Sequence, residues 1–307
     1  MPDQRTSIPE RFAFIGFGEA AQAFLEGWRT VADIEVAAFD IKTDVEATRA
    51  SKLADYDRFN VAGAETALEA VKGADVVISA VTAEAAPDAA RSAIPALGPG
   101  QLYLDINSCA PSKKRASEDM ISTTGADYLD MAVMAPVYPA RHHTPILIAG
   151  AGAKKVEGLL QRLEMKFDIV SDRVGDASTI KMVRSVMIKG IEALVSESIV
   201  AAVREGIDDK ILASLEDAFP GMDWKKRSGY MLERMVCHGR RRAEEMREVA
   251  KTMDDLGIGG LMAAATAERQ QLVADLNLLD DFDGQPPEDH RVLAEAILKA
   301  RAAKETP

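Results

Sequence analysis

Cysteine is scarce: the 307-residue sequence has only Cys109 and Cys237, far apart along the chain. Two such residues build no disulfide framework and suit a reducing compartment. Long apolar runs are missing too. No stretch reaches the ~18 residues of a membrane helix, and the polar start, Met1 to Glu10, has no signal-peptide core. A cytoplasmic location is therefore expected. Positive charge is in deficit, with 37 Lys and Arg against 49 Asp and Glu, a formal net charge of -12. That balance argues against nucleic acid or an anionic membrane as the main partner. His142, His143 and His290 show no ligand spacing with either cysteine, so no metal is expected. No histidine is placed to activate Cys109 as a nucleophile. There is neither an internal repeat nor a low-complexity segment.

What is present is ordinary soluble-protein material, 47% hydrophobic and 28% charged, long enough for two domains. The most informative stretch is Arg11 to Phe24. The apolar run Phe12–Ile15 reads as a buried strand. Gly16, Gly18 and Ala21 follow at G-x-G-x-x-A spacing. Gly16 permits the tight turn, Gly18 lets the backbone approach a pyrophosphate, and Ala21 lets the next helix pack on the strand. The helix start, with Phe17, Glu19 and Ala20 around it, offers N–H groups and partial positive charge to the phosphates. A second strand, Ile34–Phe39, ends at Asp40, about 20 residues past the turn, where a carboxylate would bind ribose hydroxyls and repel a 2′-phosphate. NAD is the expected cofactor, with NADP as the alternative because Lys42 lies close by.

The first half alternates strands with helices. Asp75–Val81 is a continuous apolar, β-branched strand. Its exit, Val81 and Thr82, should lie near the cofactor, beyond the carboxyl end of the strand. Further strands are expected over 59–62, 102–105, 128–133, 146–149 and 167–170, with helices over 44–53, 64–71, 85–97, 112–123 and 154–165. This order implies an open parallel α/β sheet. From Asp176 onward no convincing strand occurs. The pattern is helical over 178–202, 210–218, 230–252, 260–276 and 288–303. The expected organisation is a Rossmann-type dinucleotide-binding domain over 1–175 and an all-α domain over 176–307.

The chain resembles the β-hydroxyacid dehydrogenase family, which includes 3-hydroxyisobutyrate and 6-phosphogluconate dehydrogenases, and its helical half resembles a 6-phosphogluconate-dehydrogenase-like C-terminal domain. Gly16-Phe17-Gly18 matches the nucleotide turn. Asp105-Ile106-Asn107-Ser108-Cys109-Ala110-Pro111 resembles the D-x-S-T-x-x-P segment, with an Asn-Ser pair that also occurs in 6-phosphogluconate dehydrogenases. Gly175–Ser185 resembles the catalytic-helix motif, whose Lys is Lys181 here; Ser185 stands where that motif usually has Asn. Asp130–Pro136 departs from D-A-P-V-S-G-G. Met134, Ala135 and Pro136 replace residues that bind the substrate carboxylate in the family, so a hydroxyl and an N–H donor are lost. A bulkier or less polar substrate is expected.

The resemblance implies an NAD(P)-dependent oxidoreductase acting on a hydroxy acid, alcohol or related carbonyl compound. Lys181 would be its proton-transferring group, Asn107 a cofactor contact and Ser108 a substrate contact. By residue type alone, Lys181 either snorkels along an apolar helix or moves a proton in a cleft. Ser185, Ile188 and Glu192 fall on its helical face, and Ser185 and Glu192 join Met134 and Ala135 as substrate-site candidates. A basic cluster, Lys225–Arg227, Arg234, His238, Arg240–Arg242 and Arg247, reads either as a solvated face paired with neighbouring glutamates or as an anion site that includes His238. Other readings are a dinucleotide sensor that has lost catalysis, an imine reductase, or an oxidative decarboxylase. The family also implies a homodimer formed through the helical half. Apolar stretches such as 188–203 and 256–265 agree with that, and the tail after Pro287 is expected to reach the partner.

Overall fold

The computed structural model describes residues 11–305; the polar segment Met1–Glu10 lies outside them. The chain divides into two compact units, residues 1–181 and 182–307. In the first unit the elements run β1 (Arg11–Ile15), α1 (Glu19–Trp28), β2 (Glu35–Phe39), α2 (Glu46–Arg58), β3 (Ala62–Gly63), α3 (Ala67–Val71), β4 (Val76–Ser79), α4 (Ala86–Ala93), β5 (Leu102–Asp105), α5 (Pro111–Ser122), β6 (Asp127–Val133), β7 (Ile146–Ala149), α6 (Ala153–Arg162) and β8 (Phe167–Ser171). Helix α7 (Asp176–Arg204) starts in this unit and continues into the second, followed by α8 (Asp208–Ala218), α9 (Trp224–Asp255), α10 (Leu261–Ala274) and α11 (His290–Glu305).

The strands form one sheet of eight in the order β3-β2-β1-β4-β5-β6-β7-β8. The sheet is mostly parallel, as the alternation of strands and helices implies; β7 alone pairs antiparallel, to β6, with Val133 opposite Ile146. A hairpin replaces a helical crossover there, so β7 and β8 point against the first six strands. The strands read as unbroken apolar runs because both sheet faces are covered. Along β1, Phe12 and Phe14 face a cluster with Phe17, Phe24 and Trp28. Ala13 and Ile15 face another with Val77, Tyr103 and Tyr128. Trp28 stacks on Phe14 and Phe24 with centroids 5.8 and 5.9 Å apart, which packs α1 down on the sheet.

The second unit is helical throughout its described residues. Ile199 of α7, Leu232 and Met235 of α9, Val273 of α10, and Leu293 and Ile297 of α11 make its core. The tail helix packs into the core of this unit through Leu293 and Ile297. Helix α7 mixes polarity on both sides: Ile199 is buried in the core, but polar residues are buried too and apolar ones exposed. Ser185, Lys189, Glu192 and Ser196 are buried, while Val183, Met187 and Leu194 are 48%, 63% and 61% exposed. Ile188, assigned by spacing to the face of Lys181, is exposed instead.

Candidate active site

The turn after β1 has the backbone its glycines predict. Gly16 has φ +85°, and a Cβ there would lie 2.4 Å from the Ala80 carbonyl oxygen, so no side chain fits. Gly18 caps α1, and a Cβ on it would meet nothing within 4 Å. A helix start with open space above it is the cradle a pyrophosphate requires, and the residues present fit NAD. Glu19 is exposed and Ala20 half-buried at that start. Phe17 differs from expectation. Its ring is fully buried, and its N–H donates to Asp40 Oδ2 at 2.8 Å.

Asp40 has a second role beside the one its position suggests. It is 8% exposed. Besides the bond from Phe17, its Oδ1 accepts from the Lys42 N–H at 3.0 Å. The buried Lys52 ammonium donates to the Phe17 carbonyl at 2.7 Å and lies 3.9 Å from Asp40 Oδ2. Asp40 thus fastens the turn to the end of β2. Each carboxylate oxygen has two lone pairs, so a ribose hydroxyl can still be accepted. Lys42 is exposed.

The next three strands carry a polar row at one level of the sheet: Ser79 lies in register with Asp105, and Asp105 with Asp130. Asn107, just beyond β5, donates to Ser79 Oγ at 2.8 Å and accepts from the Val81 N–H at 2.6 Å. The predicted cofactor loops at Val81 and Asn107 are thus tied together. Thr82 is exposed, and its hydroxyl caps the Ala85 N–H at 3.4 Å.

Below this row sits a buried charge cluster that sequence patterns did not single out. Lys114 is fully buried. Its ammonium lies 2.7 Å from Asp105 Oδ1 and 3.5 Å from Asp130 Oδ1, and the Tyr128 hydroxyl donates to Asp105 Oδ2 at 2.6 Å. Burial opposes the Lys114 charge, but Asp105 and Asp130 outweigh it and hold the ammonium above its ordinary pKa. Burial, then the Asp105 charge, raises the Tyr128 phenol well above its usual value. The available signal was a polar residue closing each apolar strand.

Asp130 continues this cluster to the start of α7. Its Oδ2 accepts from the Gly175 and Ser178 N–H groups at 3.1 and 2.9 Å, and its Oδ1 accepts from the Ser178 hydroxyl. A carboxylate on the first-turn amides of a helix satisfies orphan donors and suits the dipole. One turn further on, Lys181 Nζ donates to Ser108 Oγ. The structure therefore brings together Ser108 and Lys181, candidates 73 residues apart.

Other candidates lie differently. The Met134 N–H donates to the Pro145 carbonyl at 2.9 Å, closing the β6–β7 hairpin, and its side chain packs against a small cluster with Ala149 and Ala177. Ala135 is exposed. Ser185, Glu192 and His238 belong to the second unit. There Ser185 is buried, and Glu192 accepts from Arg242 and from Gln270. Burial raises the Glu192 pKa despite Arg242. Burial, followed by Arg234, Arg241 and Arg242, pushes His238 down to about 4. The basic cluster is mixed: Arg241 and Arg240 reach Glu245 and Asp275 at 4.0 and 3.7 Å near the surface, whereas Arg242 turns inward.

Among proteins of known sequence and structure, residues 11–167 match the family described as the NAD binding domain of 6-phosphogluconate dehydrogenase. Residues 202–273 match a domain of unknown function, DUF1932. The chain belongs to the first of these families, and its N-terminal unit is an NAD-binding, Rossmann-type domain of the dehydrogenase kind. A conserved hypothetical protein from Sinorhizobium meliloti 1021 is 33% identical, over 96% of this chain and 98% of its own, with TM-score 0.74. A conserved protein of unknown function, described as structurally similar to 3-hydroxyacid dehydrogenases, is 27% identical over 92% and 99%, with TM-score 0.69. The fold is shared with 3-hydroxyisobutyrate dehydrogenase of Mycobacterium tuberculosis, 17% identical over 94% and 99%, with TM-score 0.68. Among the described residues no helix is long and apolar enough to cross a membrane.

Proposed function

We propose that the protein is an NAD-dependent oxidoreductase that moves a hydride between the nicotinamide and a hydroxy acid, alcohol or related carbonyl compound, with Lys181 as general acid and base. The observation that carries this reading is the bond from Lys181 Nζ to Ser108 Oγ, on a helix start fixed by Asp130. NAD, when bound, supplies the hydride acceptor. In the oxidative direction neutral Lys181 takes the hydroxyl proton; in the reductive direction its ammonium returns it. Ser108 orients the lysine and holds the reacting oxygen, and Gly16, Gly18 and the start of α1 hold the cofactor. A screen of hydroxy acids and polyols against NAD and NADP, read by absorbance of the reduced nicotinamide, tests it. Turnover of at least one supports the reading, and none across the panel opposes it.

Asp40 makes NAD the preferred cofactor, since a carboxylate repels a 2′-phosphate. Calorimetric titration should show tighter binding of NAD than of NADP. Tighter NADP binding would assign the decision to Lys42.

The helical unit, residues 182–307, serves substrate binding and dimerisation in this reading. The support is the apolar outer stripe of α7 at Val183, Met187 and Leu194, with Leu256, Ile258, Leu261 and Met262 also exposed. Exposed large apolar side chains in this number are what an association face presents. Light scattering at micromolar concentration should give a homodimer, and Met187→Lys with Leu194→Lys should give a monomer. A monomeric wild type would remove the claim.

A further inference from the structure

Outside the nucleotide site, the first unit gathers two imidazoles and a carboxylate that the mechanism does not use. His142 and His143 lie in a 3₁₀ turn over Arg141–His143, ahead of β7. Glu164 follows α6, just before β8. One ligand atom from each of the three lies within 4.8 Å of the others. His143 and Glu164 are exposed, so an ion can enter, whereas His142 is only 4% exposed.

Two independent features point to a ligand. Both ring nitrogens of His142 are buried without a hydrogen-bond partner. A buried polar group left unpaired carries an uncompensated desolvation cost, so the ring is unexplained as a packing residue. It is also seated tightly: a Cβ on Gly27 of α1 would fall 1.9 Å from His142 Nδ1. The second feature concerns His143, whose Nδ1 lies 3.0 Å from the Glu164 carbonyl oxygen. A carbonyl only accepts, so Nδ1 carries the proton, and in the neutral ring Nε2 offers its lone pair to an ion. Ligating histidines almost always donate their other N–H in this way, to a carbonyl or carboxylate.

We propose that His142, His143 and Glu164 form a binding site for a borderline divalent metal, zinc in the first instance. Two imidazoles exclude calcium and magnesium, which take oxygen ligands, and a His₂-carboxylate set suits zinc with a water in the fourth position. Zn–N bonds of about 2.0–2.1 Å place neighbouring donors roughly 3.3 Å apart, so closure needs side-chain shifts of about 1–1.5 Å. The ion would fasten the loop between β6 and β7, which carries Met134 and Ala135, to the α6–β8 corner. The proposal is independent of the assigned chemistry at Lys181.

The experiment is titration of the full chain with zinc chloride, read by calorimetry and by metal content after dialysis, alongside melting curves. About one zinc per chain and a raised Tm are expected. His143→Ala and Glu164→Gln, both at exposed positions, should each weaken zinc binding at least ~10-fold and remove the Tm shift, with NADH binding retained. His142→Ala is avoided because its ring fills the notch at Gly27. No zinc uptake at about 100 μM would overturn the proposal. So would equal uptake by wild type and both variants, which would place the zinc elsewhere.

Discussion

Lys181→Met should lower kcat by at least ~10²-fold while leaving NAD affinity nearly unchanged, because general acid–base catalysis contributes ~10²–10⁴-fold. Methionine keeps the length and apolar stem of lysine but removes the ammonium that donates to Ser108 Oγ. The start of α7 should stay in place, since Asp130 holds it through Gly175 and Ser178. Lys181→Arg should not restore activity, because a guanidinium does not release a proton near neutral pH. Steady-state kinetics on a substrate from the screen, with single-turnover rates to isolate chemistry, checks this. Retention of more than about a third of wild-type kcat, with chemistry rate-limiting, would show that Lys181 is not the proton carrier.

The second large effect is on stability. Lys114→Met should destabilise the first unit by about 3–5 kcal/mol, the usual cost of removing one partner from a buried ion pair. The loss exposes no charge to water. It leaves Asp105 and Asp130, both fully buried, facing each other's cluster with no cation between them. Against a total stability of about 5–15 kcal/mol, much of the folded population would be lost at modest denaturant. Urea unfolding followed by tryptophan fluorescence in a Trp224→Phe background reports on this unit, since Trp28 lies in its core and Trp224 in that of the second. A loss below about 1 kcal/mol would show that the Lys114 ion pairs contribute little to the stability of this unit.

The parts of this architecture legible in the sequence are the local ones. Gly16 and Gly18 announce their turn because backbone geometry there permits little else, and the apolar run of β4 reads as a strand covered on both faces. Lys181 could be placed near the head of the long helix from a short motif after the last strand, but its bond to Ser108 joins residues far apart in sequence. What escaped depends on contacts between distant residues. Asp130 looked like the first letter of a segment whose later residues had changed. Its carboxylate instead holds the start of α7, 45 and 48 residues on. Asp40 was read as a ribose ligand, and its bond to the Phe17 N–H could not be seen from spacing. The hairpin joining β6 to β7 was hidden because strand direction is not encoded in hydrophobic pattern. Helix α7 defeated periodicity for a physical reason: it buries polar residues beside apolar ones, as with Lys189, paired to Glu245 at 2.6 Å, while Val183, Met187 and Leu194 face outward. The same limit applies to His142 and His143, whose proposed third ligand, Glu164, comes from another element.

The central claim is that this chain carries out hydride transfer rather than merely binding a dinucleotide. The most direct measurement uses NADH deuterated at the transferring position of the nicotinamide, incubated with the protein and a panel of oxo acids and aldehydes, with products read by mass spectrometry. The account predicts a hydroxy product carrying one deuterium on the carbinol carbon, formed by wild type and lost in Lys181→Met. Tight NADH binding with no deuterium in any product would contradict it and identify a dinucleotide sensor instead.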